Sequence, residues 1–344
     1  MSSRIAVIGG GSWGTAIAVN LTRNDHTVIF YLRREEQVES IKKTRVNRDY
    51  FPEHRLPEII KPTSDLQQAV EDSDIIFISV PTSSTREILA ELKPFLKSGA
   101  TIVSTAKGVE ENSLQTNSEI IAEAISPEEK LAVLSGPTHS EEVMVGKPTA
   151  AVVASQEEQA ARKIQRLMSN KTFRAYTNPD VVGVELGGAV KNIIAVAAGI
   201  AYGLDYGDNA VAALITRGLA EMSRYGRERG AKIFTFSGLA GLGDLVVTCN
   251  STHSRNRTFG YKIGQGKSFA RAEEEVGQVV EGIKTTRALY QALQEEKIKT
   301  EMPITEEIYQ VLFAGKSPDK AVEDLMTRDP KREIEEVVSM NKWI

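Results

Sequence analysis

The sequence predicts an α/β protein in two parts: a doubly wound, mostly parallel sheet over residues 1–179 and an all-α unit over 180–344. Three observations carry that prediction. The chain opens on a continuous apolar run, Ile5-Ala-Val-Ile8, which enters a glycine turn and then a helical pattern. From there to about residue 178 strand-like and helix-like segments alternate, the order expected of parallel strands linked by helical crossovers. After Asn178-Pro179 strand patterns almost vanish and apolar residues recur at helical spacing.

The first strand is short and uniformly apolar, as a strand covered on both faces must be. It leads into Gly9-Gly10-Gly11-Ser12-Trp13-Gly14, which fits GxGxxG, and a helical run over 15–21. Strand, glycine turn and helix in that order mark a Rossmann-type dinucleotide-binding unit. Gly9 permits the tight turn, Gly11 admits the pyrophosphate to the backbone, and Gly14 lets helix pack on strand. A purely structural glycine turn is the weaker alternative. The second strand, 27–32, ends at Arg33-Arg34, and the first acid after it is Glu35. An acid at that point suits the ribose of NAD, whereas arginine suits the extra phosphate of NADP. NADP(H) use, preferred or at least tolerated, is therefore expected, against the alternative that both arginines open a solvated helix.

Further strands are expected at 74–80, 100–104, 131–134, 150–153 and 173–176, with a helix over 84–92. Ligands of such sheets bind beyond the carboxyl ends of the strands. Those ends carry Ser79-Val-Pro81, Thr105-Ala-Lys107-Gly108 and Ser135-Gly-Pro-Thr138. In the second part, helices are expected over 210–229, 258–264, 282–295, 303–313 and 318–326.

Composition excludes several function classes. Hydrophobic residues make up 41% and charged ones 26%, with a formal net charge of -4, so nothing draws the chain as a whole to nucleic acid or an anionic membrane. The single cysteine, Cys249, forbids an internal disulfide and fits a reducing compartment. Four scattered histidines lack metal-ligand spacing, and no metal site is expected. The uncharged run 192–204 is shorter than the roughly 18 to 20 apolar residues that a bilayer requires.

The stretch 185–204, ELGGAVKNIIAVAAGIAYGL, is apolar all around a helical wheel and so reads as a buried helix. Lys191 stands in its middle, with Gly187 and Gly188 one turn before and Ala195 one turn after, beside an expected notch. A buried ammonium needs an anionic or polar partner. Residues 236–257 contain glycines at 238, 241 and 243, and then Ser254-Arg255-Asn256, a hydroxyl, a guanidinium and an amide in succession. Such donors suit a phosphate monoester; Asp244 suits a lysine ammonium or a substrate hydroxyl. Helix capping by Asp244 or Ser254 and a solvated Arg255 are the alternatives. Together with the nucleotide fold they point to a small phosphorylated alcohol or ketone.

The motifs GGGSWGTA (9–16), AKGVE (106–110), GPTHSEEV (136–143), ELGGAVKNIIAVAAGI (185–200), GLAGLGDLVVTC (238–249), HSRN (253–256) and VVEGIKTT (279–286) cover nearly the whole chain. In them the chain resembles the NAD(P)-dependent glycerol-3-phosphate dehydrogenases of the bacterial type. The resemblance implies a helical second domain of the 6-phosphogluconate dehydrogenase C-terminal kind. It implies that Lys191 is the proton donor and acceptor, and that Lys107, Gly136, Thr138, Lys191, Asp244, Ser254, Arg255 and Asn256 contact substrate. To Gly9, Gly11 and Gly14 it adds Ser12, Trp13, Arg33, Arg34, Lys107, Ser140, Arg255, Val279 and Glu281 as cofactor contacts, for NADP(H) or NAD(H). His139, Ser140 and Glu53 depart from the family pattern. Also implied are interconversion of dihydroxyacetone phosphate and sn-glycerol 3-phosphate for phospholipid synthesis, a cytoplasmic location and no membrane insertion; the apolar second-part helices point to a homodimer. Rival readings are a β-hydroxyacid dehydrogenase acting on an unphosphorylated acid, and a dinucleotide sensor without catalysis.

Overall fold

The computed structural model describes residues 3–126, 129–330 and 332–333. Strands β1 (Ile5–Ile8), β2 (Val28–Tyr31), β3 (Ile60–Thr63), β4 (Ile75–Ile78), β5 (Thr101–Ser104), β6 (Lys130–Ser135), β7 (Thr149–Ala154) and β8 (Phe173–Asn178) form one eight-stranded sheet in the order 3-2-1-4-5-6-7-8. All neighbours pair parallel except β6 and β7. The order reverses between β1 and β4, so a crevice opens at the carboxyl ends of those two strands. Strand β3 escapes sequence reading because Lys61 and Pro62 interrupt its apolar pattern; it pairs only with β2, at the sheet edge, where a proline without an N–H is tolerated.

On the two faces lie helices α1 (Ser12–Thr22), α2 (Glu35–Thr44), α3 (Leu66–Val70), α4 (Thr85–Leu92), α5 (Asn117–Ala124), α6 (Ser140–Met144) and α7 (Glu158–Met168). Beyond the sheet follow α8 (Val181–Gly203), α9 (Asp208–Glu228), α10 (Ile233–Phe236), a π-helical turn (Leu239–Gly243), α11 (Asp244–Asn250), α12 (Arg255–Gly264), α13 (Phe269–Val276), α14 (Glu281–Gln294), α15 (Pro303–Phe313) and α16 (Pro318–Met326). The helices expected to start at 15 and 258 each begin three residues earlier, and α11 adds a helix inside the glycine-rich stretch.

Helix α8 is the axis of the helical part. It is long and apolar enough to cross a membrane by length and composition, but 94% of that window is buried inside the protein. Asp180 caps it, accepting from Gly183 N at 3.0 Å, and also accepts from Lys232 N and Thr235 Oγ1. Glu185 reaches back to the sheet layer and accepts from Ser118 N, in the first turn of α5, at 2.9 Å and from the Ser118 hydroxyl. Burial pushes the Glu185 carboxyl up to about 7.

Glycines bring α12 onto α8 at backbone distance. A Cβ at Gly199 would lie 2.1 Å from Arg257 O, and one at Gly260 2.0 Å from Val196 O. Any side chain there would push α12 away. The close crossing thus holds the first residues of α12 beside Lys191's helix.

Candidate active site

Lys191 is 5% exposed, on the side of α8 that faces the π-helical turn and α11. Its Nζ donates to Asp244 Oδ1 at 2.6 Å and to Thr248 Oγ1 at 2.6 Å. Thr248, one turn after Asp244, donates in turn to the Asp244 carbonyl. Lys107, in the segment after β5, donates to the other carboxylate oxygen, Asp244 Oδ2, at 2.9 Å, to Gly136 O at 2.8 Å and to Thr138 Oγ1 at 3.3 Å. One buried carboxylate therefore bridges two ammonium groups, one from each half of the chain.

An ammonium has three donors. Those of Lys107 are all engaged, whereas Lys191 has acceptors for two among the described residues. Lys191 thus retains one proton for something else.

The notch expected beside Lys191 is occupied by protein. A Cβ at Gly187 would lie 2.5 Å from Ala240 O, and one at Gly188 would lie 3.0 Å from Ser135 Oγ and 3.4 Å from Lys107 Cγ. The two glycines admit the π-helical turn and Lys107, which is how the lysine pair comes together, rather than leaving a hole for substrate.

Burial pulls the Lys191 ammonium down to about 8; Asp244 opposes that shift and Lys107 reinforces it. Burial alone would raise the Asp244 carboxyl, but Lys107 and Lys191 together hold it below the usual carboxylate range. His139, next to Thr138, is pushed below the ordinary imidazole value by burial and then by the charges of Lys191 and Lys107.

At the first residues of α12, Asn256 donates to Asn192 Oδ1 at 2.9 Å and accepts from Gly282 N at 2.9 Å, while Asn192 donates to the Lys107 carbonyl at 3.4 Å. Asn256 is thereby linked to the lysine pair through its backbone and to α14. Ser254 caps α12, accepting from Arg257 N at 3.2 Å, so the capping alternative holds for that oxygen; Asp244 is the first residue of α11, and Gly243 is the cap. Arg255 is exposed and no described carboxylate lies within ion-pair distance of it. Glu281, at the start of α14, is raised by burial, with Lys284 and Arg255 pulling it down. Its Oε2 would lie 3.3 Å from a Cβ at Gly108, which puts it against the residue after Lys107; Val279, just before, is 42% exposed.

The glycine turn fits a dinucleotide. Gly9 has φ +123, and a Cβ there would lie 2.5 Å from Ser79 O; one at Gly14 would lie 2.0 Å from Gly9 O. A Cβ at Gly11 would meet nothing within 4 Å, so the space before that backbone is open. Ser12 begins α1, and the Trp13 indole N–H is buried with no hydrogen-bond partner among the described residues. Arg33 is exposed at the end of β2, and Arg34 forms an ion pair with Asp49. Ser140, in the first turn of α6, turns its hydroxyl to Glu141 at 3.2 Å. The side chains of Arg34 and Ser140 are thus engaged with neighbours.

Sequence reading missed Thr248 and Asn192. Thr248 follows Asp244 at helical spacing and Asn192 adjoins Lys191, so both carried a faint local signal. Among the described residues no group of three or more His, Cys, Asp or Glu is placed to hold a metal ion.

A dinucleotide crevice at the sheet's switch point and a buried lysine–carboxylate set at its mouth define a nicotinamide-nucleotide-dependent dehydrogenase. Two family models divide the chain: the N-terminal domain of NAD-dependent glycerol-3-phosphate dehydrogenase matches residues 4–161 and its C-terminal domain residues 180–323. The chain belongs to that family. It is 57% identical over 343 residues to glycerol-3-phosphate dehydrogenase [NAD(P)+] of Halothermothrix orenii, covering 100% of both chains. To the Bacillus pumilus enzyme of the same name it is 48% identical, covering 98% of each. The crystal structure of glycerol-3-phosphate dehydrogenase from Coxiella burnetii superposes with a TM-score of 0.90 at 38% identity, over 95% of this chain and 99% of that one.

Proposed function

We propose that the protein interconverts dihydroxyacetone phosphate and sn-glycerol 3-phosphate with NADPH or NADH, and that Lys191 supplies and recovers the proton. The observation that carries this reading is the third proton on Lys191, unengaged among the described residues, in a pair whose other lysine is fully engaged. Residues 1–179 serve the cofactor and 180–344 the substrate; the tail after Glu333 lies outside the described residues.

The Gly9–Gly14 turn, Ser12, Trp13 and the N-terminus of α1 suit the dinucleotide, with Arg33 at the ribose end and Ser140, Val279 and Glu281 bordering it. Bound there, the nicotinamide supplies or takes the hydride at the substrate's C2. Lys191 places a cation beside the oxygen on which charge develops and transfers its proton to it; in oxidation the neutral amine accepts that proton. Asp244 and Thr248 orient the amine. Lys107 keeps Asp244 ionised and, with Gly136 and Thr138, walls the substrate. Ser254, Arg255 and Asn256 hold the phosphate, spending binding energy remote from C2 on orientation.

Production of glycerol 3-phosphate for phospholipid synthesis follows from that reaction. A homodimer in the cytoplasm that neither inserts in membranes nor binds nucleic acid completes the reading, supported by the net charge of -4 and the buried state of α8. The deciding experiment follows nicotinamide absorbance with dihydroxyacetone phosphate and either cofactor. Turnover of an unphosphorylated 3-hydroxyacid instead would favour the rival dehydrogenase, and binding of NADPH without turnover would favour a sensor.

Two further outcomes are expected. Because Lys191 titrates at about 8, kcat/KM for ketone reduction stays level below that pH and falls about tenfold per unit above it, whereas alcohol oxidation rises through the same range and levels off. For stability the sign is the same as for oxidation: between about 8 and 10.5 the unfolded chain holds a proton that folded Lys191 has lost, so this group's contribution improves as pH rises. Arg33→Asp is expected to raise KM for NADPH about tenfold or more while changing that for NADH little. Equal effects on both cofactors would remove Arg33 from the phosphate end.

A further inference from the structure

Three glycines in a row, Gly9 to Gly11, leave the dinucleotide turn without a side chain to fix its peptide planes. Something outside the turn has to hold them. The hold comes from the loop 45–59, which joins α2 to β3 and carries none of the cofactor or substrate contacts assigned above. Asn47, in that loop, is wholly buried. Its Nδ2 donates to Gly10 O at 3.0 Å and to Thr15 Oγ1 at 2.8 Å, and its Oδ1 accepts from Gln37 Nε2 at 2.8 Å. Gln37, on α2, also donates to Gly10 O, at 3.1 Å. The Thr15 hydroxyl donates in turn to Gly11 O at 2.7 Å. The whole amide of Asn47 is therefore spent on the turn and its two neighbours.

The consequence is one of direction. Gly10 O receives donors from α2 and from the loop, so it faces that side of the turn. In a trans peptide the N–H of Gly11 points the opposite way, and it has no backbone acceptor among the described residues. Gly11 O is held by the Thr15 hydroxyl and by Thr15 N. A phosphate entering the open space before Gly11 thus meets N–H groups rather than these two carbonyl oxygens. The loop is itself built to keep Asn47 in place. Tyr50 N and Phe51 N donate to the Asn47 carbonyl at 3.2 and 2.8 Å, Phe51 is buried, and Arg45 donates to Ile60 O at 3.0 Å and to Pro57 O.

We propose that Asn47 is a positioning residue for the cofactor, holding the Gly10–Gly11 peptide with its N–H toward the pyrophosphate. This rests on the dinucleotide reading of the turn given under Proposed function. Between two glycines, a peptide released from Asn47 has little to stop it turning over. Each time it turns, a carbonyl oxygen replaces a donor in front of the phosphates.

The test is Asn47→Leu, a change of similar volume without donors. Dissociation constants for NADPH and NADH, read by nicotinamide fluorescence, are expected to rise together by about tenfold, the scale of one buried hydrogen bond lost, because the pyrophosphate is common to both. At saturating cofactor, kcat and KM for dihydroxyacetone phosphate stay within about twofold of wild type, since the lost interaction is one of cofactor binding. Asn47→Gln, which keeps both donors, recovers part of the affinity. Unchanged affinity with a lowered Tm would show that Asn47 serves only the fold and overturns the proposal, as does a rise for one cofactor alone or a loss confined to kcat. If Asn47→Leu fails to fold, Gln37→Leu tests the same grip from the half-buried residue that shares Gly10 O. Both constants are then expected to rise about threefold, and unchanged affinity overturns the proposal. Failure of the parent reading is distinguishable, since the wild type would then bind neither nucleotide.

Discussion

Lys191→Met is expected to lower kcat for dihydroxyacetone phosphate reduction by about three orders of magnitude or more, with NADPH affinity unchanged. Two effects vanish together: proton transfer, which contributes about 10²- to 10⁴-fold, and a cation at the developing alkoxide, comparable to an oxyanion donor at about 10²- to 10³-fold. Lys107 does not replace it, because its three donors already serve Gly136, Thr138 and Asp244. The substitution is expected to leave the fold intact, because Asp244 keeps its ion pair with Lys107 at 2.9 Å. Steady-state kinetics with a parallel fluorescence titration of NADPH checks both halves. Turnover within tenfold of wild type would mean that another group is the acid.

Asp244→Asn is expected to damage activity and stability together. The carboxylate is 1% exposed and pairs with both lysines, so its loss leaves two ammonium groups facing each other without compensation. Breaking a buried pair in this way costs about 3–5 kcal/mol, which for a chain of this size lowers Tm by roughly 10 °C. With its chief stabilising charge gone, Lys191 should lose its proton at a pH below the wild-type value of about 8, moving the break in the reduction profile to lower pH. The deficit contributed by this lysine is therefore largest below the variant's lowered pKa, is still present at pH 7, and disappears above about 8, where the amine is neutral in both folded proteins. Thermal denaturation at pH 7 and 9.5 and the kcat/KM profile read the two effects. A variant as stable as wild type at pH 7 would show that Asp244 does not bear the charge of both lysines.

Sequence reading located Lys191 and the dinucleotide turn because both are local signals. An ammonium amid Ile193, Ile194 and Val196 conflicts with its own helix, and GxGxxG between an apolar strand and a helix has few other uses. The helices over 303–313 and 318–326 were legible to the residue, since each starts at a proline that suits a first turn. Strand β3 was not, because an edge strand has no apolar run to show. Nor was the filling of the notch: glycines at 187 and 188 announce a close approach but not what approaches, and Ala240 and Lys107 lie about 50 and 80 residues away in the chain.

What the sequence determined by itself is the set of parts: a parallel sheet whose buried strands need cover on both faces, a glycine turn for a pyrophosphate, an apolar helix with one cation, and donors for a phosphate. What only the tertiary structure decided is which cation keeps a proton to give. Lys107 and Lys191 both stand near small residues, and although the apolar helix around Lys191 marks it as buried, the sequence does not show how many protons of either lysine are engaged. They differ because Asp244, 53 residues from one and 137 from the other, takes one carboxylate oxygen to each, and because Gly136 and Thr138 engage the rest of Lys107 while burial lowers the proton affinity of Lys191. Those are through-space contacts between groups remote in the chain, and residue order carries no record of them.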